Sequence, residues 1–163
     1  MAAQSNSSSV RIALVNGGYA LVSLKDYGKV RGIPWWRRRN GAREYVVSDK
    51  EHGMVLMHTI LVPGIGGEID HISGDGLDNR RENLRRCTHA QNTRNRAKHK
   101  VKTSRFKGVH RERNKWRARI RRDGIYYTLG FFDTEREAAL AYDAAAPRLH
   151  RAFARTNADL GLL

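Results

Sequence analysis

The eight residues Lys115–Arg122 constrain the chain more than any other stretch. They alternate Trp116, Ala118 and Ile120 with Arg117, Arg119 and Arg121, a two-residue period that fits a strand with one buried and one solvated face. Asp123-Gly124 supplies a turn, and Tyr126–Gly130 returns as the next strand. Thr134-x-x-Glu137 has the form of a capping box and opens an alanine-rich helix over Glu135–Ala146, which Pro147 should stop or kink. A stripe of Ala138, Ala141 and Ala145 lets that helix lie close to Trp116, Ala118 and Ile120. The last third is thus expected to be a small antiparallel sheet covered by one helix, with the three arginines facing out.

Charge says what such a face meets. The 163 residues hold 31 Lys+Arg against 16 Asp+Glu, a formal net charge of +15. An excess this large attracts polyanions: DNA, RNA or an anionic membrane surface. Within residues 104–122, nine basic side chains stand against Glu112 alone, so the densest patch coincides with the alternating strand. At 40% hydrophobic residues the chain can build a core. Cys87 is the single cysteine, which excludes an intramolecular disulfide and a multi-cysteine zinc ribbon. The most apolar stretch, residues 54–65, is interrupted by His58 and Pro63 and is too short to span a bilayer. The polar, serine-rich residues 1–9 lack the order of a signal peptide and read as a disordered tail on a cytoplasmic protein.

The first two thirds are punctuated differently. Val10–Val15 and Tyr19–Leu24 flank Asn16-Gly17-Gly18 and predict a hairpin. A strand is expected near Tyr45–Val47, while the apolar run 55–62 suits helix or strand equally. Glycine and proline at 63–67 break the chain before a strand at Glu68–Ile72, and a polar loop spans Ser73–Asn79. Thr88-x-x-Gln91 is another capping box, predicting a helix from Thr88 to Lys98, with residues 101–104 as a linker. Trp35-Trp36 before Arg37-Arg38-Arg39 fits a DNA-backbone contact and a core tryptophan with solvated arginines equally well.

Asp70, His71, Asn83 and Asn92 belong to this strand, loop and helix. Asp70 and Asn92 offer hard oxygen ligands of the kind Mg²⁺ or Mn²⁺ takes alongside water and substrate phosphate. His71 titrates near neutrality, as a general base for water should. Their adjacency is awkward, because neighbours in a regular strand point to opposite faces. Asp75, Gly76, Asp78 and Asn79 also suit a plain Asx-type turn.

The run from Asp70-His71-Ile72 through Gly74-Asp75-Gly76-Leu77-Asp78-Asn79-Arg80, Asn83-Leu84-Arg85, Thr88 and Gln91-Asn92 to Asn95 resembles the ββα-metal (His-Me finger) motif of phage-type HNH homing endonucleases. The likeness covers about residues 55–98. It implies that Asp70 and Asn92 hold one divalent cation, that His71 activates water for attack on phosphorus, and that Asn83 orients the site. No catalytic role falls to His58.

The C-terminal segment resembles the Apetala-two/ERF DNA-binding domain over residues 104–158, through Gly108-Val109, Lys115-Trp116, Leu129-Gly130-x-Phe132, Ala141-Tyr142-Asp143 and Asn157. That resemblance implies a three-stranded sheet on one helix whose face enters the DNA major groove, with contacts from Lys107, His110, Arg117, Arg119, Arg121, Tyr126 and Thr128. Arg119 replaces a common glutamate, so no target sequence follows.

The expectation is an α+β chain with an HNH nuclease region at 10–100, its ββα-metal core at about 66–98, and an Apetala-two/ERF-like domain at 105–160. It would be a monomeric, metal-dependent endonuclease on double-stranded DNA, needing no small-molecule cofactor. The rival is a non-catalytic DNA-binding regulator that retains the nuclease fold.

Overall fold

A computed structural model describes residues 8–41, 43–50, 53–96 and 103–163. The chain forms two compact units, Met1–Thr88 and His89–Leu163. The helix expected to close the nuclease region therefore belongs to the second unit. Most of the expected tail, residues 97 and 98 of that helix, and residues 101 and 102 of the linker lie outside the described residues.

In the first unit, β1 (Ser9–Ala13) and β2 (Tyr19–Ser23) form the antiparallel hairpin that Asn16-Gly17-Gly18 predicts. Ser9, in the expected tail, is already part of β1. A short helix α1 (Tyr27–Val30) follows. Then β3 (Trp36–Asn40), β4 (Arg43–Lys50) and β5 (Gly53–Leu56) make an antiparallel sheet in the order β3-β4-β5. The ambiguous apolar run divides, with β5 ending at Leu56 and α2 spanning Met57–Leu61. Trp35 lies in the core with Val22, Val30, Val46, Met57 and Leu61, and its indole nitrogen donates to the Val30 carbonyl at 3.0 Å. Arg37, Arg38 and Arg39 are exposed.

The site hairpin comes next. β6 (Glu68–His71) pairs antiparallel with β8 (Leu84–Cys87). The connection is not a simple polar loop: Asp78–Asn79 forms β7, which runs parallel to β2 through Leu21 and Val22. An ion pair on a buried carboxylate reinforces that junction. Asp26, after β2, accepts from Arg81 at 2.8 and 3.1 Å, and this guanidinium, opposing a smaller effect of burial, holds the carboxyl down at about 2.

The second unit starts with α3 (His89–Asn95). β9 (Val109–Glu112), β10 (Lys115–Arg122) and β11 (Ile125–Phe132) form an antiparallel sheet with β10 central, and α4 (Glu135–His150) packs on it. Thr134 closes the expected capping box with Glu137. Two expectations are corrected. The buried stripe of α4 is Ala138, Ala139, Tyr142, Ala145 and Ala146, with Ala141 at its margin. Pro147 does not end the helix, which runs to His150. The buried His150 ring sits 2.8 Å from the Arg121 carbonyl and ties the last turn to β10, offsetting the hydrogen bond proline lacks.

Alternation in β10 survives because β11 carries a bulge: Ala118 faces Gly130 while Arg119 faces Thr128. The extra residue, Leu129, packs toward the core. Asn157, fully buried, accepts from the Lys107 backbone at 2.6 Å and donates to Asp143 at 2.8 Å, clipping the chain's end to α4 and to the start of the sheet.

Candidate active site

The site begins with strand register. Asp70 lies directly across from Arg85 in the β6–β8 pair. The guanidinium therefore reaches its carboxylate, and both donors fall on Oδ2, at 3.0 and 2.7 Å. Asp70 is only 2% exposed. A carboxylate so far from water needs a positive or hydrogen-bonding partner, and Arg85 is one.

His71, the last residue of β6, is buried against another set of groups. Its ring lies 5.1 Å from the His58 ring, edge to face, and 6.2 Å from the ring of Tyr45 on β4. Its Nε2 is 3.3 Å from Asn79 Oδ1. Burial pushes His71 below the usual histidine value, against an upward pull from Asn79 and the carboxylates of Asp70, Asp75 and Asp78. His58 falls further, to about 4, through burial and repulsion by His71. Both imidazoles are thus neutral at neutral pH, the form in which a ring nitrogen can accept a proton.

Asn83 closes the loop that carries these groups. Its Oδ1 accepts from the Ser73 backbone at 2.8 Å and its Nδ2 donates to the Asp78 carbonyl at 2.7 Å. Its own carbonyl accepts from the Ile72 backbone at 2.8 Å. One side chain thereby fixes the exit of β6 to the entrance of β8. The Asx-type turn is also present, since Asp75 Oδ1 accepts from the Leu77 backbone at 2.9 Å.

Asp70, His71 and Asn83 therefore share the β6–β8 hairpin of the first unit. Asn92 lies buried on α3, in the second unit. A divalent cation suits the chemistry of these donors: a buried carboxylate and an amide oxygen are both hard ligands. Among the described residues, no group of three or more His, Cys, Asp or Glu side chains gathers as a metal cluster. Zinc, which prefers nitrogen and sulfur donors, has no such set there.

A family profile described as HNH endonuclease matches residues 62–94, the segment that holds all four residues. An uncharacterized HNH endonuclease, L560 of Acanthamoeba polyphaga mimivirus, is 32% identical over 148 residues, covering 86% of this chain and 75% of its own. The chain belongs to the HNH endonuclease family. It is accordingly a nuclease. No solved structure matches it.

Three groups to which the resemblance gives no catalytic role surround the histidine of this HNH chain. His58 and Tyr45 wall in the His71 ring, yet they sit in apolar segments with no motif of their own. Asn79 stands in the family-like run, but the sequence shows its turn chemistry and not its contact with His71.

In the second unit, Lys107, His110, Arg119, Arg121 and Tyr126 line one cavity of about 570 Å³. Arg119 and Arg121 both lie over the Tyr126 ring, at 4.5 and 5.4 Å from its centre. Arg117 instead pairs with Glu112 at 2.7 Å, and Thr128 is exposed across from Arg119. The Lys107 ammonium donates to the Arg94 carbonyl in α3 at 2.6 Å. Burial and Arg155 bring it down to about 8, although Asp143 and Asp159 pull upward. Among the described residues, no helix is long and apolar enough to cross a membrane.

Proposed function

We propose that this nuclease is a metal-dependent endonuclease on double-stranded DNA, in which His71 is the general base and Asp70 holds a divalent cation. The observation that carries the reading is the neutral, buried His71 beside the buried carboxylate of Asp70, on a hairpin locked by Asn83. HNH nucleases are generally dependent on a divalent metal. When bound, that ion supplies positive charge at the scissile phosphate and the leaving oxygen.

The chain's own residues do the rest. His71 takes a proton from the water that attacks phosphorus. His58 and Tyr45 hold its ring and keep bulk water from it, while Asn83 keeps Asp70 and His71 at the strand end. The second unit, with its Apetala-two/ERF-like sheet, holds the duplex through Arg119, Arg121, Tyr126 and Thr128, joined by Lys107, His110 and Arg117 around the same face.

The test is cleavage of duplex DNA with Mg²⁺ or Mn²⁺, and without either ion. His71→Ala should cut about 10²–10⁴-fold more slowly while binding DNA as before. Equal cutting by that variant, or undiminished cutting in chelator, refutes the reading. Duplex binding without cleavage by the unaltered protein would favour the regulator.

A further inference from the structure

Asn79 is a buried amide, 1% exposed, with both ends engaged inside the first unit. Its Nδ2 donates to the Gly76 carbonyl at 3.1 Å, and its Oδ1 faces His71 Nε2 at 3.3 Å. Gly76 lies packed so closely on β4 that a side chain there would run into the Glu44 carbonyl oxygen and the Tyr45 ring. Turning the amide round would set Oδ1 against the Gly76 carbonyl, acceptor on acceptor. Packing of the loop on β4 therefore decides which end of Asn79 meets the histidine.

An acceptor opposite Nε2 requires that nitrogen to carry the proton. In a neutral imidazole the lone pair is then on Nδ1. We propose that Asn79 is a positioning residue for the nuclease reaction, holding His71 as the Nε2–H tautomer so that Nδ1 is the atom that accepts the water's proton. This rests on the reading of His71 as general base. As the water oxygen bonds to phosphorus, its proton passes to Nδ1 and the bond from phosphorus to the leaving 3′ oxygen breaks. That oxygen takes a proton from solvent. His71 is left as imidazolium, with its Nε2–H still donating to Asn79, so the contact serves both protonation states without rearrangement.

The experiment uses the full chain with ¹⁵N-labelled histidine, the His71 signals being assigned by their loss in His71→Ala. The unaltered protein should show the Nε2–H tautomer at neutral pH. Asn79→Ala should lose that preference and lower kcat about 10–100-fold with KM and DNA affinity retained. Asn79→Asp, which keeps an acceptor oxygen, should recover the tautomer and part of kcat. An Nδ1–H tautomer in the unaltered protein overturns the proposal whether or not the variants fold. So does Asn79→Ala with unchanged tautomer and kcat. Full cleavage by His71→Ala would instead overturn the general-base reading and the catalytic role built on it, leaving the tautomer measurement as a separate result.

Discussion

The β6–β8 hairpin of the first unit and the outer sheet face of the second treat their polar residues in opposite ways. The first buries them: Asp70, His71, Asn79 and Asn83 are all under 10% exposed and hydrogen-bonded or ion-paired. The second leaves Arg121, Tyr126 and Thr128 exposed on a sheet whose other face holds the core. Bond-breaking at one phosphate calls for groups fixed in orientation and protonation before the substrate arrives, which requires exclusion of water and a partner for every donor and acceptor. Holding a polyanion calls for charges that can replace its counterions, which requires access. Mutation should therefore cost the first unit stability and turnover, and the second unit affinity and salt sensitivity.

The sharpest way to break this contrast is Asn83→Ala. It leaves the Ser73 backbone N–H and the Asp78 carbonyl without their partner, and should lower unfolding free energy by about 2–6 kcal/mol. Denaturant unfolding that shows no loss would mean the loop is held by something else. Acid should act next in size. Because the folded His58 titrates near 4 against 6.5 for an ordinary histidine, the unfolded chain binds more protons between those values. His58's contribution is full above pH 6.5 and is lost as pH falls toward 4, on the order of 3 kcal/mol. His71 shifts in the same direction. Melting measured at pH 7.5 and 4.5 should show this loss, and His58→Phe should reduce it; identical acid sensitivity in the variant refutes the assignment. The smallest effect on the fold is expected in the second unit. Arg119→Ala with Arg121→Ala should lower unfolding free energy by only about 1 kcal/mol, through the lost contacts with the Tyr126 ring, yet flatten the slope of log affinity against log salt by about 2. An unchanged slope would remove these arginines from the proposed duplex interface.

Much of this was legible in advance, and the reasons differ by element. Strand β10 announced itself because burial on one face imposes a two-residue period, and α4 because a capping box satisfies its first N–H groups with nearby residues. Both are local rules. The same rules end α4 too early, because the hydrogen bond that Pro147 lacks is offset by His150, tied to β10 by a contact 29 residues away along the chain. The division of residues 55–62 at Leu56 was hidden for a like reason: pairing with β4, not period, makes the first part a strand.

At the site, sequence alone determined which residue types were on offer: a carboxylate, an imidazole and two amides at a spacing matching a nuclease family. It also determined the basic excess and its concentration before Asp123. Only the tertiary structure decided the states of those groups. It set Arg85 opposite Asp70 through register, enclosed His71 between His58 and Tyr45, and turned Asn79 by fixing Gly76 against β4. Residue identity fixes what a side chain can donate or accept, but burial and partners, contributed by segments distant in the chain, fix which proton it carries and where it points.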